Sequence, residues 1–266
     1  MLTIVLALLG AVILGTLAQM FVGIGWAIFL AVLGFFGVSI ALNLWVKKRL
    51  EAVFSEIQQT LTQQQQQLQR KVNRMQNSMA GKGMQKQLEK EQAAGIKEAL
   101  AKLEAAQPLY KWNLLAQRQV NTLRGQLAYQ VQDWPTADSS LATAMLMDPL
   151  TMAMKMTRLY QQGDMPAVEK LFRKGKKRFK TDKATLIFAL YAWILVRNER
   201  IDDAIAVLND GKQVTENAVL QQNWQHLVNG RHRQFSNAGL GDEWFALQLE
   251  KPKPVKVRQR GDHRRF

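Results

Sequence analysis

The distribution of apolar and charged positions divides the chain before any motif is sought. Residues 2–46 contain no charged side chain, whereas charges recur through the rest of the 266-residue chain. A single helix over that run would measure about 68 Å at ~1.5 Å per residue, more than twice the ~30 Å hydrocarbon core of a bilayer. The run is therefore expected to fold back on itself. Its break is expected at AQMFVGIG, where Gln19 supplies a polar side chain and Gly23 and Gly25 supply flexible backbone. The expected spans are residues 2–18 and 24–46. A cleaved signal peptide is the competing reading, but no basic segment precedes the apolar run and the run continues past any cleavage point. Small residues four apart, Ala11 and Gly15, Ala27 and Ala31, Gly37 and Ala41, allow close helix contact within the hairpin or between copies of the chain.

Beyond Val46 the period changes. Leu50, Phe54, Ile57, Leu61, Leu68 and Met75 fall on heptad seam positions, with Gln64 and Lys71 as polar exceptions inside and beside a glutamine run. The second span is thus expected to continue into water as a juxtamembrane helix over residues 50–80. Two readings stand for its seam: a short coiled coil between copies, or a stalk packed on the chain's own repeat domain. SMAGKGM, residues 78–84, then breaks the helix. Its Gly-Lys-Gly departs from a phosphate-binding loop, because Gln76 stands at the first glycine position, Gly83 replaces the Ser/Thr, and no strand precedes it. A further helix is expected over residues 85–106, ending before Pro108.

Downstream, a helical-hairpin pattern recurs. In GQLAYQVQDWPTADSSLATAMLMDP, Gly125, Ala137, Leu141 and Ala144 occupy packing positions of two successive helices, Asp133 and Trp134 the turn between them, and Asp148-Pro149 the end of the second. The segment resembles a tetratricopeptide repeat. Small residues there let two antiparallel helices approach, and Pro stops the second helix because it cannot donate the next backbone bond. Gly163-Asp164 with Val168, Phe172 and Gly175 repeats the pattern, as do Ile201, Ala204, Leu208 and Gly211. Ala137, Val168 and Ala204 are spaced by 31 and 36 residues. Gly replaces Ala at the third packing position in both later copies, and only the first keeps the terminal Pro. Three degenerate repeats are expected over residues 118–219, after a hinge and capping helices over 81–117 and before a C-terminal capping region over 220–250.

Charge adds a second theme. The formal net charge is +15, and 13 of those charges lie in two windows, Lys170 to Lys183 and Lys251 to Phe266. With Val168, Leu171, Phe172, Gly175 and Phe179 turned inward, Lys170, Arg173, Lys174, Lys176, Lys177, Arg178 and Lys180 are left outside. The last 16 residues, 251–266, form a Pro-spaced basic tail carrying Lys251, Lys253, Lys256, Arg258, Arg260, Arg264 and Arg265, expected to be disordered. Both windows are candidate contacts for an anionic surface, with lipid headgroups the first choice, nucleic acid the second, and a merely solvated face the plain alternative.

Chemistry is sparse. Cysteine is absent, which removes disulfides and thiolate chemistry. His226, His232 and His263 form no metal-ligand pair, and no nucleophile elbow, zinc-protease or dinucleotide motif occurs, so no catalytic residue, metal or cofactor is expected. The repeat resemblance implies a concave partner-binding face showing Gln126, Tyr129 and Gln130, then Thr157, Tyr160 and Gln161, then Trp193 and Arg197. The Lys/Asn/Arg clamp of chaperone-binding members is missing. Met145, Met147, Met152, Met154, Met156 and Met165 are expected mainly as core filler, with an adaptable docking surface as the alternative.

The chain is therefore read as all-α: a transmembrane hairpin over residues 1–49, a juxtamembrane helix, a helical-hairpin solenoid and a basic tail. The expected role is a scaffold in a bacterial inner membrane, recruiting protein partners at its cytoplasmic face. Self-association through the spans or the juxtamembrane helix is an open alternative, and a nucleic-acid tether is the other functional reading. Lys47, Lys48 and Arg49 follow the second span at once, which places both termini in the cytoplasm. Single cysteines replacing Ser78 and Ser236 should resist an impermeant thiol reagent in intact cells and react after lysis; labelling of intact cells at either site would reverse the topology.

Overall fold

The computed structural model of the chain describes residues 2–75 and 82–251. Every regular element among those residues is helical. The chain divides into two compact units, Met1–Leu146 and Met147–Phe266.

The first unit opens with α1, Leu2–Val22, and α2, Ile24–Met75. One residue makes the turn between them: Gly23 adopts φ +78°, a conformation that a side chain would strain, and its carbonyl accepts from Ala27 N at 3.1 Å to start α2. Gln19, placed in the expected break, is helical. Both helices are long and apolar enough to cross a membrane. Their large side chains point outward, with Leu8 at 53%, Ile28 at 62% and Leu33 at 59% exposure. The small-residue contact is made within the hairpin at Gly15, where an added Cβ would lie 3.1 Å from Ala31 Cβ, whereas a Cβ added at Gly37 would meet no neighbouring helix within 4 Å.

Helix α2 runs unbroken for 52 residues, about 78 Å at ~1.5 Å per residue. Its seam is filled by the chain itself. Val46, Leu50 and Ile57 are buried with Ile96, Ala99 and Leu103 of α3 (Lys82–Leu103), with Leu109 of a 3-10 stretch (Glu104–Lys111), and with Ala116, Val120 and Leu127 of α4 (Leu114–Gln130). Phe54 and Leu61 join this core half-buried. Polar ties flank it: Lys71 donates to Glu91 at 2.7 Å, holding that carboxyl below its ordinary range, and Lys102 donates to Thr60 at 2.9 Å.

Three local expectations differ from the structure. Helix α3 begins at Lys82, so residues 82–84 of the expected hinge are helical, while its residues 78–81 lie outside the described ones. The α-helix stops at Leu103, and Pro108 sits inside the 3-10 stretch that follows. Helix α5, Trp134–Thr143, ends without proline; Pro149 instead opens α6, Pro149–Gln161. The first helical position has no use for an N–H, and Asp148 accepts from Thr151 N at 2.9 Å as the N-cap, so Asp-Pro here is a start signal.

The second unit contains α6, α7 (Met165–Arg178), α8 (Thr185–Arg197), α9 (Ile201–Val214), α10 (Ala218–Val228) and α11 (Asp242–Phe245). Helix α8 is its centre: each residue from Thr185 to Leu195 is buried, as its all-round apolar sequence requires. Asp164 caps α7 by accepting from Ala167 N at 3.0 Å. Val168, Phe172 and Phe179 turn inward, and Gly175 lets α7 approach closely, since a Cβ there would come within 3.0 Å of both Ile187 and Met152. Phe172 stacks on Tyr191 at 4.1 Å. Ala204, Leu208 and Gly211 are buried along α9. Met152, Met154 and Met156 fill the core, while Met147 is exposed.

Truncating the most buried seam residue should expose how much the stalk contributes. Ile57→Ala should cost about 2–5 kcal/mol by leaving a cavity, lowering the thermal midpoint of the detergent-solubilised protein, with Gln59→Ala on the exposed face near neutral. A midpoint that depends on protein concentration would show that copies of the chain, not α3 and α4, cover the seam.

Candidate functional site

In the second unit, two of the side chains expected on the partner-binding face, Trp193 and Arg197, meet at one carboxylate. Trp193, on the penultimate turn of α8, donates its indole N–H to Glu250 Oε1 at 2.8 Å. Trp244, in α11, donates to Glu250 Oε2 at 3.0 Å. Arg197 adds its guanidinium 3.9 Å from Oε1 and 5.0 Å from the Trp193 ring centroid. The Trp193 ring meets Trp244 edge-on at 5.9 Å and Tyr160 of α6 at 5.8 Å. Both carboxylate oxygens thereby accept charge-assisted hydrogen bonds from indole N–H groups, while the Glu250 side chain stays 29% exposed.

A buried polar pin sets the segment that delivers Trp244 and Glu250. Asn237 donates to the Ala189 carbonyl in the middle of α8 at 2.9 Å and accepts from Asn223 of α10 at 2.8 Å. Asn223 in turn accepts from Ser236 N at 3.0 Å. Gly241 then turns the chain with φ +63° and ψ −136°, a region open essentially to glycine, and Trp244 and Leu247 are fully buried. The chain's own C-terminal segment thus covers the face carrying Trp193. Sequence reasoning placed this segment as a cap but missed Trp244, Leu247 and Glu250; the signal was an apolar WFALQL run too large for a polar cap.

The remaining expected contacts separate by exposure. Thr157 is fully buried, while Gln161 and Arg197 are exposed. In the first unit Tyr129 is fully buried, its ring edge-on to Trp134 at 5.4 Å. Gln126 is half-buried. Gln130 is exposed and borders a groove of about 420 Å³ that Gln64, Gln65 and Gln92 line over an apolar floor of Leu61 and Ile96.

Helix α7 carries the cationic face. Lys170, Arg173, Lys174, Lys177, Arg178 and Lys180 are exposed, and Lys176 is half-buried. Arg173 pairs with Glu169 at 2.6 Å and Lys176 with Asp210 of α9 at 2.5 Å. Burial first, then the charge of Lys174, holds the Lys155 ammonium on α6 below the ordinary lysine range. Lys251 is exposed directly after Glu250; Lys253, Lys256, Arg258, Arg260, Arg264 and Arg265 lie outside the described residues.

No protein-family model, curated protein or solved structure matches this chain.

The carboxylate clasp can be tested directly. Glu250→Ala leaves the buried Trp244 N–H without an acceptor, at a cost of about 1–3 kcal/mol, and should increase acrylamide quenching of tryptophan and proteolysis between residues 229 and 251. Glu250→Gln, which keeps one acceptor oxygen, should lie between wild type and Ala. Unchanged quenching in both variants would mean that the segment is held without Glu250.

Proposed function

We propose that this chain is a membrane-anchored adaptor: the α1/α2 hairpin spans a bacterial inner membrane with both termini in the cytoplasm, and the helical pairs α4/α5, α6/α7 and α8/α9 act as degenerate tetratricopeptide-like hairpins that recruit protein partners. The observation that carries the reading is the join. An apolar hairpin with outward side chains passes, within one helix, into a seam holding a water-compatible helical unit, with Lys47, Lys48 and Arg49 at the changeover. The protein works by binding.

The cationic face of α7 is the contact this reading favours. Trp193 and Tyr160 are engaged by the chain's own Trp244 and Glu250, so a partner there must displace a satisfied segment. Lys170, Lys174, Lys177 and Lys180 are exposed among the described residues. A partner with an acidic surface suits them, and the attraction falls as the Debye length shrinks from about 10 Å at 0.1 M salt to about 3 Å at 1 M.

Capture of partners by the full-length protein from detergent-solubilised membranes is the test, with and without nuclease. Protein partners should persist after nuclease and be lost, without loss of folding, when Lys170, Lys174, Lys177 and Lys180 are replaced by Gln. Partners released by nuclease would make the chain a nucleic-acid tether. Partners retained by the Gln variant would move recognition to another face.

A further inference from the structure

The first unit touches its own hairpin at a second place, far in sequence from the α2 seam. The Thr3 hydroxyl, at the start of α1, donates to the Trp112 carbonyl at 2.8 Å and is buried. Asn113 donates its side-chain amide to Asn43 Oδ1 of α2 at 3.0 Å, while its own Oδ1 caps α4 by accepting from Leu115 N at 2.8 Å. The Trp112 ring lies edge-on to Trp45 at 5.5 Å, and the Arg49 guanidinium stands 5.7 Å from the Trp45 ring centroid. The elbow between the 3-10 stretch and α4 is thus clasped to both hairpin helices at the end opposite Gly23.

That level has a meaning if the hairpin spans a bilayer, the reading on which this inference rests. From Ile24, helix α2 needs about 20 residues at ~1.5 Å each to cross ~30 Å of hydrocarbon, which brings the boundary to Asn43 and Trp45. Tryptophan pairs and an adjacent Lys/Arg cluster are what such a boundary attracts. The elbow therefore lies where headgroups meet hydrocarbon. Among the described residues between 46 and 146, Leu115 is the one large apolar side chain left exposed, at 51%, and it stands two residues from the Asn113 clasp. Lys111 and Arg118, on either side of it in sequence, are exposed cations.

We propose that the elbow Lys111, Trp112, Leu115 and Arg118 is a third membrane contact, which sets Leu115 into the interface of an anionic bilayer with the two cations at phosphate level. The first unit then lies against the membrane and does not swing on α2.

The absence of cysteine allows single labels in the full-length protein. Nitroxides at Leu33→Cys, Leu115→Cys and Ser139→Cys, in liposomes of phosphatidylcholine and phosphatidylglycerol, are compared for collision with oxygen and with a water-soluble nickel chelate. Leu33, lipid-facing in the hairpin, should be reached by oxygen and shielded from nickel; Ser139, exposed on α5, should show the reverse. Leu115 should be at least several-fold less accessible to nickel than Ser139 while still reached by oxygen. Nickel access at Leu115 equal to that at Ser139, with Leu33 embedded, overturns the contact alone. Shielding of Leu115 from both probes would place it against protein and also overturns the contact. Nickel access at Leu33 equal to that at Ser139 overturns the spanning reading and this contact with it.

Discussion

The seam that Val46, Leu50 and Ile57 present along α2 is the interaction on which the first unit depends. One helix carries two patterns without a break. Its first part is apolar on every side; its second part is apolar along one stripe, and that stripe dictates where α3, the 3-10 stretch and α4 lie. An isolated helix of this polarity would gain little from propensity, since stability in such helices comes from the packed face. The glutamines interrupt that stripe without breaking it: Gln64, at a seam position, is half-buried against Gly95 of α3, Gln65 is exposed, and both border an open groove. The same packing brings Asn113 back to Asn43, so that the order of the soluble helices and their attachment to the hairpin have one cause.

The parts legible in the sequence are those fixed by local chemistry. A charge-free run too long for one span had to turn, and a glycine with left-handed φ gives the shortest turn, so the break falls at Gly23 inside the expected window. Asp133 and Asp164 begin helices because their carboxylates accept the orphan N–H groups of a first turn. Ala137, Val168 and Ala204, picked as inward positions, are fully buried, because small or β-branched residues at helical spacing leave little choice of face. Asp148-Pro149 shows where local chemistry is ambiguous. Proline both stops one helix and starts the next, and only the length of α5 decides between them.

What was not legible is non-local. A concave face transferred by position assumes that nothing else in the chain occupies it. For Trp193 that assumption fails, because residues about 50 positions downstream supply Trp244 and Glu250. Tyr129 and Thr157 are buried for a related reason: aromatic and small polar residues near a helix pair can satisfy the core as well as a ligand, and their identity does not say which. Thr157 Oγ1 is buried with no hydrogen-bond partner in the described structure, the kind of atom that composition cannot flag.

The covered face has a consequence for how a partner can be bound. A segment attached through the same chain competes at an effective concentration in the millimolar range for short flexible connections, so an external ligand of equal intrinsic affinity loses unless it is abundant. The Glu250 clasp adds to that advantage, since both oxygens are satisfied by indole N–H groups that would otherwise be left without acceptors. On the α7 face, by contrast, Lys170, Lys174 and Lys177 are exposed. Under the proposed adaptor reading, electrostatic attraction at that face would act at a distance and require no displacement, so it would govern the approach of an acidic partner. Lys251, the first cation of the basic window, follows Glu250 directly and is exposed, so that one charge is set beside a carboxylate held by two tryptophan N–H groups.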